Sequence, residues 1–224
     1  MLRVTALAEY DGEIEWNSDE YALPVFSVRV GKLSSESTAA WTVEPLRPAL
    51  AESSLLEVYV HCSDGSLRNI GLIGIRTEWI EFVDDDYEFL SEGVRGIPLV
   101  DTKLWEDAGV EMRKGTQRPM ITEGMPLRLF VGQSAYSLQI GEATETSEVV
   151  AFDQFRLGLD RDRNLRRIDV VGVSPAKIQG IEHYRRSPPG GIPPMRPGLL
   201  PRLWFEIGIL LRRLRWAWLL YRSR

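Results

Sequence analysis

The stretch LRLFVGQSAYSLQI, residues 127–140, decides the fold class. Leu127, Leu129 and Val131 occupy every second position before Gly132-Gln133-Ser134, and Tyr136, Leu138 and Ile140 do so after it. Successive side chains on a strand point to opposite faces, so each half presents one apolar face. The Gly-Gln-Ser between them is turn chemistry. The reading is a pair of antiparallel strands joined by a tight turn.

The same pattern spreads outward in both directions. Upstream, Leu2, Val4 and Ala6 alternate before Asp11-Gly12, and Phe26, Val28 and Val30 stop at Gly31; Ser34 to Thr38 reads as a loop. Leu56, Val58, Val60 and Cys62 lead into the turn Ser63-Asp64-Gly65-Ser66, Ile70 to Ile75 returns, and Trp79 to Val83 alternates again. Downstream, Phe155, Leu157 and Leu159 pair across residues 160–164 with Ile168, Val170 and Val173. Short helices or loops fit near Asp85 to Glu92 and Leu104 to Ala108, and no long helical period occurs before the C-terminal stretch. About nine or ten strands at this spacing predict an all-β body, an antiparallel β-sandwich or barrel.

Charge divides the chain. Residues 1–180 carry 18 basic and 30 acidic side chains, whereas 181–224 carry 9 and 2. An acidic body is a poor ligand for nucleic acid or an anionic membrane, which leaves such contacts to the basic end. The division coincides with a change of composition. Residues 187–201 hold six of the thirteen prolines, read as a spacer that, at about 3.1 Å per residue when extended, reaches about 40 Å. The expected organisation is therefore a body at 1–186, a Pro/Gly-rich spacer at 187–201 and one amphipathic helix at 202–224.

That last segment has two apolar faces on a helical wheel. Leu203, Ile207, Leu210, Leu211, Leu214, Ala217, Trp218 and Tyr221 form one stripe, and Phe205, Ile209, Trp216 and Leu220 form a second on the opposite side. Arginines lie between them. A bilayer span needs about 20 mainly apolar residues, and Arg212, Arg213 and Arg215 interrupt the run, so the helix does not cross a membrane. It is read instead as an attachment device: Trp204, Phe205, Ile209, Trp216, Trp218 and Tyr221 as apolar anchors, with Arg212, Arg213 and Arg215 for acidic groups.

Motifs for chemistry are few. His61, Cys62, Ser63 and Asp64 are consecutive, so strand geometry keeps them from converging as nucleophile, base and orienter. Asp160, Asp162 and Asn164 form a D-x-D-x-N run that resembles the start of calcium-binding loops such as the EF-hand. Leu165 stands where that pattern has glycine and Val171 where it has the bidentate glutamate, so a solvated hairpin turn is the expected role. Asp84, Asp85 and Asp86 read as a solvated acidic loop. Gly71 and Gly74 in NIGLIGI lack the lysine and following helix of a phosphate loop. Cys62 is the only cysteine, which excludes an intramolecular disulfide, and the N-terminus shows no secretory pattern.

These features predict a cytoplasmic, non-enzymatic structural or adaptor subunit without a cofactor, attached to other subunits or to copies of itself through the C-terminal helix. A peripheral membrane protein using that helix in the lipid interface is the alternative. A ligand-binding or hydrolytic β-sandwich with an incidental tail is the second, and nucleic acid is disfavoured as a partner.

Overall fold

A computed structural model describes residues 1–9, 14–17, 26–30, 38–44, 55–84, 87–90, 92–109, 119–142 and 144–186, all of them in the unit Met1–Arg186. The Asp11-Gly12 turn, residues 34–37 of the serine loop, Asp85 and Asp86, the spacer at 187–201 and the helix at 202–224 lie outside the described residues. Of the described residues 54% are in strands and 14% in helices, so the body is mostly β.

Fifteen strands are described. In chain order they are β1 (Val4–Ala8), β2 (Ile14–Asn17), β3 (Ser27–Val30), β4 (Thr38–Glu44), β5 (Leu55–His61), β6 (Leu67–Gly74), β7 (Ile80–Phe82), β8 (Val94–Arg95) and β9 (Ile97–Val100). After helix α1 (Lys103–Asp107) come β10 (Met120–Gly124), β11 (Leu127–Val131), β12 (Ala135–Ile140), β13 (Glu148–Phe152), β14 (Phe155–Leu159), β15 (Leu165–Val171) and helix α2 (Pro175–Arg186). They form three sheets: β10-β4-β5-β6-β3-β2, β7-β11-β12-β15-β14-β13-β8, and the pair β1-β9.

The deciding stretch folds as its pattern requires. β11 and β12 pair antiparallel from Leu127↔Ile140 to Val131↔Tyr136, and the Gly132 amide donates to the Ala135 carbonyl to close the turn. β14 and β15 pair antiparallel across residues 160–164, again as the alternation demands. On β5, Leu56, Val58 and Val60 are buried, while outward-facing Tyr59 donates its hydroxyl to Glu57 at 2.8 Å.

Four features depart from expectation. The sheets are not wholly antiparallel: β10 runs parallel to β4, β7 to β11 and β8 to β13. No closed barrel forms among the described residues. Six strands went unread, β2, β4, β8, β9, β10 and β13, because each is short or lacks period-two alternation. β4 shows why: Thr38 to Val43 is buried on both faces, which erases the apolar/polar rhythm. The stretch 87–90, which fits either a short helix or a loop, carries no helix, and α2 has no counterpart in the sequence reading. Its sequence offers only Ile178, Ile181 and Tyr184 as an apolar stripe, and Gly180 weakens the propensity. Its N-terminus nonetheless has a helix start, with Pro175 at the first position and the Ser174 carbonyl accepting from Lys177 and Ile178.

One apolar cluster draws on all three sheets. Phe26, just ahead of β3, stacks on Tyr136 of β12 at 5.6 Å between ring centroids and lies 5.9 Å from Phe155 of β14. Burial pushes the Tyr136 phenol well above its ordinary pKa, so it stays neutral. Trp105 of α1 is also fully buried, its indole N–H donating to the Ala40 carbonyl at 3.1 Å.

The small sheet ties the two large ones together at one end. β1 is bonded to the start of β15, through Val4 N–H to Arg163 O and Leu165 N–H to Leu2 O, and β9 to the β5–β6 turn, through Val100 N–H to Gly65 O. That turn admits only glycine at residue 65. Its φ is +69°, and a Cβ there would stand 2.1 Å from the Val100 carbonyl oxygen.

Replacing Gly65 by alanine therefore adds a left-handed penalty to a backbone clash, and Gly65→Ala is expected to lower unfolding free energy by about 2 kcal/mol or more. Urea denaturation checks it; a loss under about 0.5 kcal/mol, the ordinary range for surface substitutions, would contradict the close approach.

Candidate functional site

The residues that carry chemistry in the body are distributed over four places, and each was built by local backbone geometry. The first is the turn after β5. Three consecutive turn residues fold the chain back, so Ser63 Oγ reaches His61 Nδ1 at 2.9 Å and Asp64 Oδ1 lies 3.4 Å from the same nitrogen. Strand alternation had kept these side chains apart in the sequence reading; the turn brings them together. They still do not form a nucleophile–base–orienter relay, because serine and aspartate address one ring nitrogen instead of opposite ones. Asp64 is further engaged by the Ser66 amide and hydroxyl, at 2.9 and 2.7 Å. Burial alone would raise the Asp64 carboxyl, but the Ser66 bonds, with His61 and Arg68 nearby, carry it below its ordinary value. Burial pushes the Cys62 thiol up, away from reactive thiolate.

The second place is the D-x-D-x-N turn between β14 and β15. Asp160 accepts from the Asp162 and Asn164 amides at 3.0 and 2.9 Å, from Asn164 Nδ2 at 3.2 Å and from Arg166 Nε at 2.8 Å. Its lone pairs are aimed at protein donors, and Asp162 is exposed. Asp160, Asp162 and Asn164 thus build the turn, and no group of three or more His, Cys, Asp or Glu that could hold a metal occurs among the described residues. The turn ends on Arg163, a non-glycine residue at φ 62°. That conformation costs about 1 to 2 kcal/mol, and it is offset by a two-pronged pair with Glu148, both bonds 2.9 Å, and a bond to the Thr5 carbonyl. A turn residue so becomes the clamp that seats β1.

The third is a part-buried ion pair on β15, with its carboxylate end buried and its guanidinium 21% exposed. Asp169, with no exposure, receives Arg167 Nε and Nη2, both at 2.7 Å. Residues two apart share one strand face, and the pair faces the segment 87–90: Asp169 accepts from the Leu90 amide at 2.7 Å, Arg167 donates to the Glu88 carbonyl, and its guanidinium lies over the Tyr87 ring. Phe89 completes the strap by packing where Gly132 has no side chain; a Cβ there would stand 2.8 Å from the ring. Both charges hold the backbone of the strap.

The fourth place comprises two cavities. One, of about 360 Å³, lies between the β8–β9 segment and the β13–β14 turn, with Ile97, Ala151 and Phe152 as its apolar floor and Arg95, Asp153 and Arg156 at its mouth. The other, of about 470 Å³, lies between α2 and the β7 and β11 ends, lined by Phe82, Val131, Ile178, Glu182, Arg185 and Arg186. There Arg185 sits over the Phe82 ring and Arg186 pairs with Glu182.

The attachment residues Trp204, Phe205, Ile209, Arg212, Arg213, Arg215, Trp216, Trp218 and Tyr221 lie outside the described residues, and His183 is exposed on α2. The part-buried pair and the cavity at Arg95 were missed by sequence reading. Arg167 and Asp169 carry an i, i+2 signal within a strand, but it marks a pair only once a strap covers that face. No protein-family model matches the chain, and no curated protein is similar to it at a significant level.

The turn chemistry at Asp160 gives a pH test. Burial raises this carboxyl, yet the bonds from Arg166, Asn164 and Asp162 outweigh it, so its folded-state pKa lies below the ordinary value. The unfolded chain then binds the proton first as pH falls, and the stabilisation, complete above about pH 4, is lost as pH drops through the folded-state value. Asp160→Asn is expected to cost about 1 to 3 kcal/mol at neutral pH, with the gap closing below about pH 4, while calcium leaves both proteins unchanged. Urea titrations at several pH values check this; a pH-independent gap, or stabilisation by calcium, would refute the assignment.

Proposed function

We propose that the chain is a non-enzymatic structural or adaptor subunit of a larger assembly, in which the two large sheets form a sandwich-like body and the segment 202–224 attaches it to partner subunits or to further copies of itself. The observation that carries this reading is where apolar side chains are spent. Among the described residues only Val94 and Met120 are large hydrophobics with more than half of their surface exposed, at 58% and 56%. The body consumes its own apolar residues in one core, whereas 202–224 is written with two apolar stripes. Each large side chain left in water forgoes about 1.5 to 3 kcal/mol, and interface anchors are drawn from Trp, Tyr, Phe and Arg, the types concentrated here.

The chemistry of the body supports the non-enzymatic part. Its densest polar constellations, at Asp160, Asp169 and Arg163, hold turns and strap in place. Charge supports the copy-to-copy version: the basic C-terminal segment complements the acidic body of a neighbouring molecule. A cytoplasmic location is part of the proposal. One composition feature favours the lipid alternative, the mixture of tryptophan with arginine, which suits an interfacial helix; no helix among the described residues is long and apolar enough to cross a membrane.

The test compares the full chain with a variant carrying Trp204→Ser, Phe205→Ser, Trp216→Ser and Trp218→Ser. Affinity capture from the native host and sedimentation of the purified chain are expected to show a complex for the former and free monomer for the latter, at an unchanged melting temperature of the body. Retention of the same complex by the variant would overturn the proposal, and loss of flotation with anionic vesicles, without loss of a protein complex, would transfer the role to lipid.

A further inference from the structure

We propose that the cavity between the β8–β9 segment and the β13–β14 turn binds a small organic carboxylate with an apolar body, gripped by Arg95. The floor is apolar and fixed: Ile97, Phe152 and Ala151 are 3%, 6% and 7% exposed. At about 360 Å³ it suits a ring system or short chain, at the lower end of small-molecule sites.

The mouth supplies the charge. Arg95 is exposed and makes no hydrogen bond or ion pair with the described residues, but its backbone is pinned, in register with Ala151 and followed by a Gly96 amide bond to the Ala151 carbonyl at 3.1 Å. Arg156 brings a second guanidinium, positioned by its bonds to the Asp153 and Phe155 carbonyls, both 2.8 Å. Among the described residues two cations and one carboxylate line this mouth, on a body whose residues 1–186 carry 20 basic and 31 acidic side chains. A guanidinium fork matches a planar carboxylate with two parallel bonds. Asp153 on the same rim, held at φ 48°, reduces the charge of these three groups to a single net positive, which one carboxylate neutralises and a phosphate dianion overshoots.

The experiment is calorimetric titration of the full chain with 2-naphthoate, 2-naphthylmethanol, acetate and 2-naphthyl phosphate, repeated with Arg95→Ala and with Ala151→Leu, which fills the floor while keeping the arginine. The expected result is saturable binding of 2-naphthoate, weaker by about tenfold or more for the alcohol and for Arg95→Ala through loss of a charged hydrogen-bonding pair, for acetate through loss of apolar burial, and for the phosphate through its surplus charge. Arg95→Ala should melt at the parent temperature, since the side chain is exposed, and Ala151→Leu should lose binding. Absence of saturable 2-naphthoate binding at millimolar concentration, equal binding of the alcohol, tighter binding of the phosphate, or undiminished binding by both variants would each overturn the assignment.

Discussion

Everything in the body depends on one contact across its middle. Phe26 approaches from the six-stranded sheet and lies between Tyr136 and Phe155 of the seven-stranded one, with Phe152 stacked behind at 5.4 Å from Phe155. Aromatic rings bury more apolar area than any other side chain and pack with defined geometry, so this cluster sets which faces of the two sheets look inward. The alternation along β5, β11, β12 and β14 follows from that choice. So does the position of the β1-β9 pair, which needs the ends of both sheets brought near enough to bond with Gly65 on one side and Leu165 on the other.

Polar groups then finish what the core begins. A mostly β body leaves turns, edges and one outer face to be organised, and here charged side chains do it: Asp160 folds its turn, Arg163 seats β1, and the Arg167–Asp169 pair straps the segment 87–90 over the sheet. Part-buried pairs of this kind contribute little net stability compared with apolar packing. Their value lies in position.

How much of this was legible in the sequence follows from burial. Strands with one wetter face, such as β5 and β11, announce themselves by period two, and the hairpin at 127–140 was readable in the sequence. β4 was not, because both its faces are dry; β9 was not, because Pro98 interrupts it and a single partner strand holds it. The parallel pairings β4–β10, β7–β11 and β8–β13 join strands remote in sequence, and nothing local encodes them. Turn chemistry was half legible: D-x-D-x-N correctly marked a turn, whereas the convergence of Ser63 and Asp64 on His61 arises from a backbone reversal that alternation cannot foresee. The cavity at Arg95 was invisible for the same reason, since its walls come from three stretches far apart in sequence, at Ile14, at 95–97 and at 151–156.

The central claim, that both large sheets close on one shared core, is tested most directly by native-state hydrogen exchange on the full chain with Phe26→Ala. A Phe→Ala change in a packed core costs about 3 to 5 kcal/mol. If the core is shared, protection of the slowest amides in β5 and in β12 falls by the same amount, although only β5 belongs to the sheet that carries Phe26. Loss confined to β3, β5 and β6, with β12 and β15 retaining full protection, would contradict it.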